Sequence, residues 1–373
     1  MTPRDGKAHY VMVGGFLGAG KTTALLRAAE RLGGRGLRVG VITNDQSGGL
    51  VDTALARARD LPVAEIAGGC FCCRFTSLVE AAEGLDHDAR PDVFLAEPVG
   101  SCTDLQATVN EPLRHMYGSR YRIAPLSVLV DPARALRVLG VEAGQSFSPK
   151  VLYVYRKQLE EAELLVVNKI DAVAPDRVAA LRQALQRSFP AARVLEISAR
   201  QGTGIDEWLG RVLEDGRGRP LEIDYDLYAE GEALLGWLNC TATVRGEDVD
   251  GDALLLELAR AIRQSLVTAG AEIAHLKMTL TPDGGVGVAA VNVVRTAAAP
   301  ELAFALDGGL DTGELTINLR AEAEPERLES IVRTALAVGD RFGATIEANH
   351  LERFRPGRPV PTHRMAIPSR GGV

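Results

Sequence analysis

Short apolar runs alternate with amphipathic stretches along residues 8 to about 215 of this chain. The runs are rich in Val, Leu and Ile, as is typical of strands buried on both faces of a sheet. The stretches between them, such as PDRVAALRQALQRSF, repeat apolar side chains at helical spacing. This alternation predicts an α/β domain whose mostly parallel sheet is covered by helices. The apolar runs are HYVMVGG, LRVGVIT, DVFLAE, APLSVLVD, ELLVVNK and RVLEIS.

A different pattern begins near residue 230. One strand-like run and a long amphipathic helix are followed by three more strand-like runs, a second helix and a last strand. That order predicts a smaller α+β domain of the ferredoxin-like, split βαβ type, with room for an extra strand. The Gly-, charge- and Pro-rich stretches predict the boundaries. They are 1–218 for the first domain, 219–229 for a linker, 230–355 for the second domain and 356–373 for a flexible tail.

Composition and charge exclude several classes of protein. The chain has 373 residues and a net charge of −7, without a run of Lys and Arg that would form a basic stripe, so we expect no nucleic-acid partner. The stretch MTPRDGKAHYVMVGG lacks the pattern of a signal peptide, and no apolar run approaches the roughly twenty residues of a membrane helix. We therefore expect a cytoplasmic protein without a membrane partner, in which thiols stay reduced.

The stretch GGFLGAGKTT follows an apolar strand and opens a predicted helix. It matches G-x-x-x-x-G-K-[ST], whose glycines let backbone N–H groups converge on phosphates at a helix N-terminus. Lys21 is expected to neutralise the phosphates, and the Thr22 hydroxyl to hold Mg²⁺. The alternative is a glycine-rich turn that only closes a βα unit. The predicted nucleotide-binding residues here are Gly15, Gly18, Ala19, Gly20, Lys21, Thr22 and Thr23.

Two later strand ends predict the base. ELLVV runs into Asn168, Lys169 and Asp171, and VLEIS ends at Ser198 and Ala199. A carboxylate at a strand end can accept from both the ring N–H and the exocyclic amine of guanine, a donor pair that adenine lacks. We therefore predict GTP rather than ATP. The alternative for NKID is a helix cap before PDRVAALRQ.

The γ-phosphate side of the site is predicted from AEPVG and VITND. Glu97 and Gly100 have the E-x-x-G layout in which a glycine N–H senses the γ-phosphate, and Asp45 ends the second strand, where it would bind Mg²⁺. We predict that Lys21, Thr22, Asp45 and Glu97 carry the catalytic chemistry. The alternative for Asp45 is a turn or capping role.

Three of the five cysteines, Cys70, Cys72 and Cys73, lie within GGCFCC. In a reduced compartment such a cluster is more often a metal or redox site than a disulfide. Three thiolates suit Zn²⁺, Cu(I) and, with lower intrinsic affinity, Co²⁺ or Ni²⁺, and they leave a coordination position open for transfer. A structural zinc site completed by a distant ligand, or inert packing, are the alternatives. Candidate fourth ligands are Cys102, Glu65 and His115.

Taken together, GGFLGAGKTT, TND, GGCFCC, EPVG, NKID and SA resemble, in order and approximate spacing, the CobW-like GTPases, which are relatives of HypB and UreG. The resemblance covers about residues 8 to 215. It implies a metallochaperone whose C-x-C-C thiolates hold a transition metal while GTP is bound. The chain departs from the family at NDQSG, where Asn44 matches but Asp45 and Gly48 stand in place of glutamates.

The leading hypothesis is a slow GTPase that loads a metal into a client metalloenzyme, with GTP, Mg²⁺ and Zn²⁺ or Co²⁺ (or Ni²⁺) as its cofactors. Slow turnover is expected because no Gln or Arg is assigned to positioning water or to an arginine finger. A GTPase chaperone for a corrinoid protein or methyltransferase, and a non-switching metal-binding protein, are the alternatives, and a small-molecule kinase is the weakest. A homodimer is left open.

Overall fold

The computed structural model describes residues 6–44, 61–66, 68–218, 221–284 and 287–365. The chain divides into two compact units. The first runs to Tyr228 and includes the chain again from Arg358 onward, and the second is Ala229–Gly357. Among the described residues, no helix is long and apolar enough to cross a lipid bilayer.

The first unit is built on one parallel sheet. The eight described strands are β1 (Ala8–Gly15), β2 (Val39–Asn44), β3 (Val63–Ile66), β4 (Val93–Glu97), β5 (Tyr121–Ile123), β6 (Ser127–Val130), β7 (Leu164–Val167) and β8 (Arg193–Glu196). Their order is β3-β2-β4-β1-β6-β7-β8, with β5 beside the first residues of β1. Every pairing is parallel. The predicted mostly parallel α/β domain is confirmed.

Helices connect these strands and bury apolar faces on the sheet. The described helices are α1 (Lys21–Gly33), α2 (Phe75–Asp88), α3 (Glu111–Tyr117), α4 (Pro132–Val138), α5 (Pro149–Glu161), α6 (Pro175–Ser188), α7 (Ile205–Val212) and α8 (Tyr225–Ala233). Leu25 and Leu32 of α1 share a buried cluster with Trp208 of α7 and Val11 of β1. Helices α4, α5 and α6 begin with proline, whose missing N–H costs nothing at that position.

The carboxyl ends of the parallel strands place the motif residues at one edge of the sheet. Strand β1 ends at Gly15, β2 at Asn44 and β4 at Glu97, and Asn168 follows β7. Ligands of open α/β sheets bind outside these carboxyl ends. The predicted site residues at these strand ends therefore share one edge of the sheet.

The second unit is a six-stranded antiparallel sheet with two long helices. Its elements are β9 (Gly236–Val249), α9 (Gly251–Thr268), β10 (Ile273–Pro282), β11 (Ala289–Val293), β12 (Glu301–Phe304), β13 (Leu310–Ala321), α10 (Pro325–Leu336) and β14 (Thr345–Phe354). The strand order is β12-β11-β10-β13-β9-β14. The path β9-α9-β10-β13-α10-β14 is the split βαβ arrangement, and β11 and β12 extend the sheet beyond β10. The predicted ferredoxin-like α+β domain is confirmed.

The unit boundaries differ from the predicted ones near both ends of the second unit. Helix α8 covers the end of the predicted linker, and Tyr228 still belongs to the first unit. The sequence analysis expects a flexible tail from residue 356, because Pro, Arg and Gly dominate there. In the structure Arg358–Met365 belongs to the first unit and is hydrogen-bonded to it. An ion pair between Arg364 and the buried Asp104 holds this segment on the first unit.

Candidate nucleotide and thiol site

The phosphate-binding turn depends on glycines at its two ends. Gly15 and Gly20 have φ angles of 127° and 86°, in the region that favours glycine. A Cβ on Gly15 would lie 2.4 Å from the backbone oxygen of Leu129, and one on Gly20 would lie 2.6 Å from Nδ2 of Asn168. Side chains are therefore excluded at both positions, and the backbone between them forms the turn ahead of α1, which we call the cradle.

Lys21 and Thr22, the first residues of α1, converge on Glu97 at the end of β4. The Thr22 hydroxyl donates to Glu97 Oε1 at 3.2 Å, and Lys21 Nζ lies 3.8 Å from the same oxygen. All three residues are buried. The predicted catalytic residues of the P-loop and of the E-x-x-G segment are therefore adjacent in space, although 75 positions separate Thr22 from Glu97.

Gly100 packs directly on the phosphate-binding turn. A Cβ at this position would lie 2.8 Å from Cδ2 of Leu17 and 3.1 Å from its backbone nitrogen. A side chain at position 100 would require Leu17 to shift. The role of Gly100 in sensing the γ-phosphate stays a prediction.

The Asn168-Lys169 pair ties the base-reading motif to the P-loop. Asn168 Nδ2 donates to the backbone oxygen of Ala19 at 2.9 Å, and Asn168 Oδ1 accepts from the N–H of Ala199 at 3.0 Å. Lys169 Nζ donates to the backbone oxygen of Gly18 at 2.6 Å. The structure thus brings together three segments that the sequence analysis treats as separate motifs.

Asp171 lies just beyond β7, and Ser198 lies just beyond β8. The Asp171 side chain is exposed, in a 3-10 turn that spans Ile170–Ala172. Ser198 is buried, and its hydroxyl accepts from the N–H of Gln201 at 3.0 Å. The role of Asp171 in reading the base stays a prediction.

Asp131 is a site residue that sequence reasoning missed. Its carboxylate accepts from Lys169 Nζ at 3.0 Å and from the N–H of Arg134 at 3.0 Å, which caps α4. Burial acts to raise the pKa of Asp131, but the positive charges of Lys169 and Arg134 outweigh burial and lower that pKa to about 2. Asp131 follows the apolar run APLSVLV, and an acid at the end of a buried strand was the available signal.

The three thiols of GGCFCC form one cluster. The Cys70 sulfur lies 2.9 Å from that of Cys72 and 3.1 Å from that of Cys73, and the Cys72 and Cys73 sulfurs are 3.7 Å apart. Cys70 and Cys72 are buried, and Cys73 is half-buried. All five cysteines are described, and none is in a disulfide. This is the one group of three or more potential metal ligands found in the described part of the chain.

None of the three candidate fourth ligands belongs to the group of mutually close sulfurs, although the Cys102 thiol affects the pKa values of Cys70 and Cys72. Hydrogen bonding with the thiols of Cys102, Cys72 and Cys73 holds the pKa of Cys70 well below its ordinary value. The pKa of Cys72 is raised, most strongly by hydrogen bonding with the Cys102 thiol and also by burial. The bond with Cys70 raises the pKa of Cys73 to about 11. Cys70 therefore loses its proton more readily than Cys72 and Cys73 do. Glu65 and His115 are outside the ligand group.

Asn44 holds the turn that carries these thiols. Its Nδ2 donates to the backbone oxygens of Ile66 at 2.9 Å and Gly69 at 2.7 Å, and its Oδ1 accepts from the N–H of Phe71 at 3.0 Å. The sequence analysis notes Asn44 without assigning it this role. The neighbouring Asp45, the predicted Mg²⁺ ligand, lies outside the described residues.

Gln158 of α5 fixes the segment between the γ-phosphate side and the thiols. Its Nε2 donates to the backbone oxygens of both Gly100 and Cys102, at 2.9 Å each. Gln158 is buried, and an isolated polar residue on a helix gives no sequence signal for such a contact. One amide therefore joins the backbone of Gly100 to that of Cys102.

A parallel sheet, a glycine cradle with Lys21 and Thr22, and an Asn168-Lys169 pair bound to that cradle define a P-loop GTPase. The model of the CobW/HypB/UreG nucleotide-binding domain matches residues 9–196, which is half of the chain. The protein belongs to this family.

Solved structures with a similar fold include HypB and YjiA proteins. The hydrogenase maturation factor HypB from Archaeoglobus fulgidus is 20% identical, with a TM-score of 0.40 over 56% of this chain and 89% of that chain. HypB from Helicobacter pylori in complex with nickel is 16% identical, with a TM-score of 0.42 over 56% and 87%. Zn(II)-bound YjiA GTPase from E. coli is 15% identical, with a TM-score of 0.34 over 89% and 98%. No curated protein matches the chain.

Proposed function

We propose that this protein binds and hydrolyses GTP and holds a transition metal on Cys70, Cys72 and Cys73 for delivery to a client metalloenzyme or corrinoid protein. The observation that carries the proposal is the thiol cluster, whose three sulfurs lie within 4.8 Å of one another. Its turn is held by Asn44 at the end of β2, and β2 pairs with β4, which ends at Glu97 beside Thr22. Metal and nucleotide would thus be held by adjoining segments.

The residues of the cradle fit a magnesium-bound GTP. The open backbone between Gly15 and Gly20 would accept the phosphates, and Lys21 would neutralise them when it leaves Glu97. The Thr22 hydroxyl, and Asp45 by expectation, would hold Mg²⁺, which supplies charge neutralisation at the transferred phosphate. Asp171 would read the base. Turnover is expected to be slow.

The donor set fits a soft divalent cargo. Thiolates prefer Zn²⁺, Co²⁺ or Ni²⁺ over Mg²⁺ or Ca²⁺, and the lowered pKa of Cys70 favours the thiolate form that binds metal. The remaining protons leave when the metal binds, so metal affinity falls as pH falls. We propose that Cys102 is the fourth ligand while the protein holds the metal. When Cys102 withdraws, three protein ligands would remain.

Nucleotide-dependent metal affinity tests the proposal. The protein is titrated anaerobically with Co²⁺ in its apo, GDP-bound and GTP-bound forms, and the sulfur-to-cobalt charge-transfer absorption is followed. Binding should be tighter in one nucleotide form, and by linkage Co²⁺ should change the affinity for that nucleotide by the same factor. Equal Co²⁺ affinity in all three forms would exclude the chaperone function and leave a static metal site.

A further inference from the structure

The last described residues of the chain lie against the thiol cluster. We call Arg358–Met365 the strap. The backbone N–H of Val360 donates to the Cys73 sulfur at 3.3 Å. Thr362 donates from its N–H to the backbone oxygen of Cys72 at 2.8 Å, and from its hydroxyl to the backbone oxygen of Cys73 at 3.2 Å. Three hydrogen bonds therefore join the strap to two adjacent cysteines.

The strap is anchored beyond the thiols by an ion pair. Arg364 Nε donates to Asp104 Oδ2 at 2.7 Å, and the side chain of Asp104 has no exposed surface. The Tyr225 hydroxyl donates to the same oxygen at 2.7 Å. The N–H of Met365 donates to the backbone oxygen of Ala107 at 2.9 Å. A buried carboxylate needs such partners, so the anchor is a specific one.

A ring contact lies between the anchor and the thiols. The His363 ring packs edge-on against Phe75, with their centroids 5.0 Å apart. Phe75 begins α2, directly after the thiol turn. The strap therefore follows the surface from Cys73 to the segment beyond Gly100 and contacts both.

The contact at Val360 is made by backbone alone. The Val360 residue is 72% exposed, and it stands between Pro359 and Pro361 in the sequence RPVPT. Prolines restrict the backbone and lack an N–H, so this tripeptide presents a single donor, aimed at the Cys73 sulfur. A donor that hydrogen-bonds to a metal-ligating atom fixes the orientation of that ligand and affects the affinity for the metal.

We propose that the strap is the outer shell of the thiol site, that the Val360 N–H positions the Cys73 thiolate, and that the anchored strap slows metal exchange. The inference rests on the proposed function only in assuming that the thiols hold a metal. It adds a regulatory element that the other motifs do not contain, because the C-terminal segment must move before Cys72 and Cys73 are fully open to solvent or to an acceptor.

The positioning role is tested by Val360→Pro, which removes the N–H, against Val360→Ala, which keeps it and trims an exposed side chain. Each Co²⁺-loaded full-length protein is mixed with excess EDTA, and the decay of the charge-transfer band gives the release rate. We expect release about tenfold faster from Val360→Pro, with a shifted band, and an unchanged rate from Val360→Ala. Equal rates for Val360→Pro and the unmodified protein would overturn the positioning role.

The covering role is tested without metal, so that it can be judged separately from the proposed function. Arg364→Ala removes the anchor, and Arg341→Ala, which removes an exposed ion pair with Glu257, is the matched control. Iodoacetamide labelling of Cys73 in the apo protein, followed by peptide mass spectrometry, should be several-fold faster in Arg364→Ala alone. Equal labelling rates in Arg364→Ala and the unmodified protein would overturn the covering role of the strap. If the unmodified protein shows no cobalt band, the proposed function fails, and labelling still decides the cover.

Discussion

Asn44 and Phe71 are joined by a 3.0 Å hydrogen bond from the backbone N–H of Phe71 to the side-chain oxygen of Asn44. The bond connects the end of β2 to the middle of the thiol turn. The amide nitrogen of Asn44 supports the same turn at Ile66 and Gly69. One side chain therefore fixes the geometry from which Cys70 and Cys72 converge.

Replacing Asn44 should loosen this turn. Asn44→Ala removes three hydrogen bonds, two buried and one partly buried, and we expect a loss of about 2–3 kcal/mol in the free energy of unfolding, at about 1 kcal/mol per bond. Co²⁺ affinity should fall because the thiols lose their preset geometry. Urea unfolding and cobalt titration measure the two effects. Asn44→Asp keeps the acceptor for Phe71 but places a carboxylate against the backbone oxygens of Ile66 and Gly69, so it should be no more stable than Asn44→Ala. Unchanged cobalt affinity in Asn44→Ala would show that the turn keeps its geometry without this side chain.

The Cys102→Ser variant should show whether the metal has four protein ligands or three. If Cys102 coordinates the metal, its replacement should change the tetrahedral cobalt spectrum and weaken binding, whereas Cys240→Ser should leave both unchanged. Cys240 is a suitable control because it is buried in the second unit, where burial raises its pKa to about 11. An identical spectrum in Cys102→Ser and Cys240→Ser would restrict the site to the triplet.

Asp171 should determine the choice of base. We expect GTP and GDP to bind about 10⁴-fold more tightly than ATP, since adenine would leave the carboxylate without its paired donors. Asp171→Asn should shift the preference toward xanthine nucleotides, whose ring carries the complementary oxygen. Competition titrations with a fluorescent GDP analogue measure both effects. Equal affinities for ATP and GTP would disprove the assignment.

The P-loop side chains should act on turnover and not on folding. Lys21→Ala and Thr22→Ala should each lower Mg²⁺-dependent GTP hydrolysis by about a hundredfold or more, the scale of removing one preorganised electrostatic partner. Thr22→Ser retains the hydroxyl and is the matched control. Phosphate release gives the rate, and circular dichroism checks the fold. Fast hydrolysis by either alanine variant would mean that another group carries the phosphate chemistry.

Glu161 should make stability depend on pH. Burial, and next the charge of nearby Asp104, raise the pKa of Glu161 from 4.5 to about 8. The folded state therefore holds this proton more tightly than the unfolded state, and the resulting stabilisation is complete below about pH 4.5 and is lost as pH rises toward 8. The loss has an upper bound of about 5 kcal/mol. Urea unfolding of Glu161→Gln should lack this component, and parallel pH profiles for the two proteins would contradict it.

Contiguous motifs made the phosphate and base segments predictable from sequence, because each consists of local backbone geometry and a few adjacent side chains. The contacts that join the motifs were not predictable. Lys169 is hydrogen-bonded to Asp131, 38 positions away, and Gln158 is hydrogen-bonded to Gly100, 58 positions away. Such pairs depend on how strands order themselves in the sheet. The tail was misjudged for a related reason, because the buried partner of Arg364 lies 260 positions away. The role of Asp45 stays a prediction.

The return of the chain to its first unit makes the second unit an inserted domain. The chain leaves after Tyr228 and comes back at Arg358. Within the insert, the first and last strands are neighbours, with Phe354 opposite Trp237, so its entry and exit are side by side. A domain attached in this way can be exchanged for a short linker without stretching the host. Such a replacement would leave the first unit with its own C-terminal segment, Arg358–Met365, hydrogen-bonded to Cys72 and Cys73.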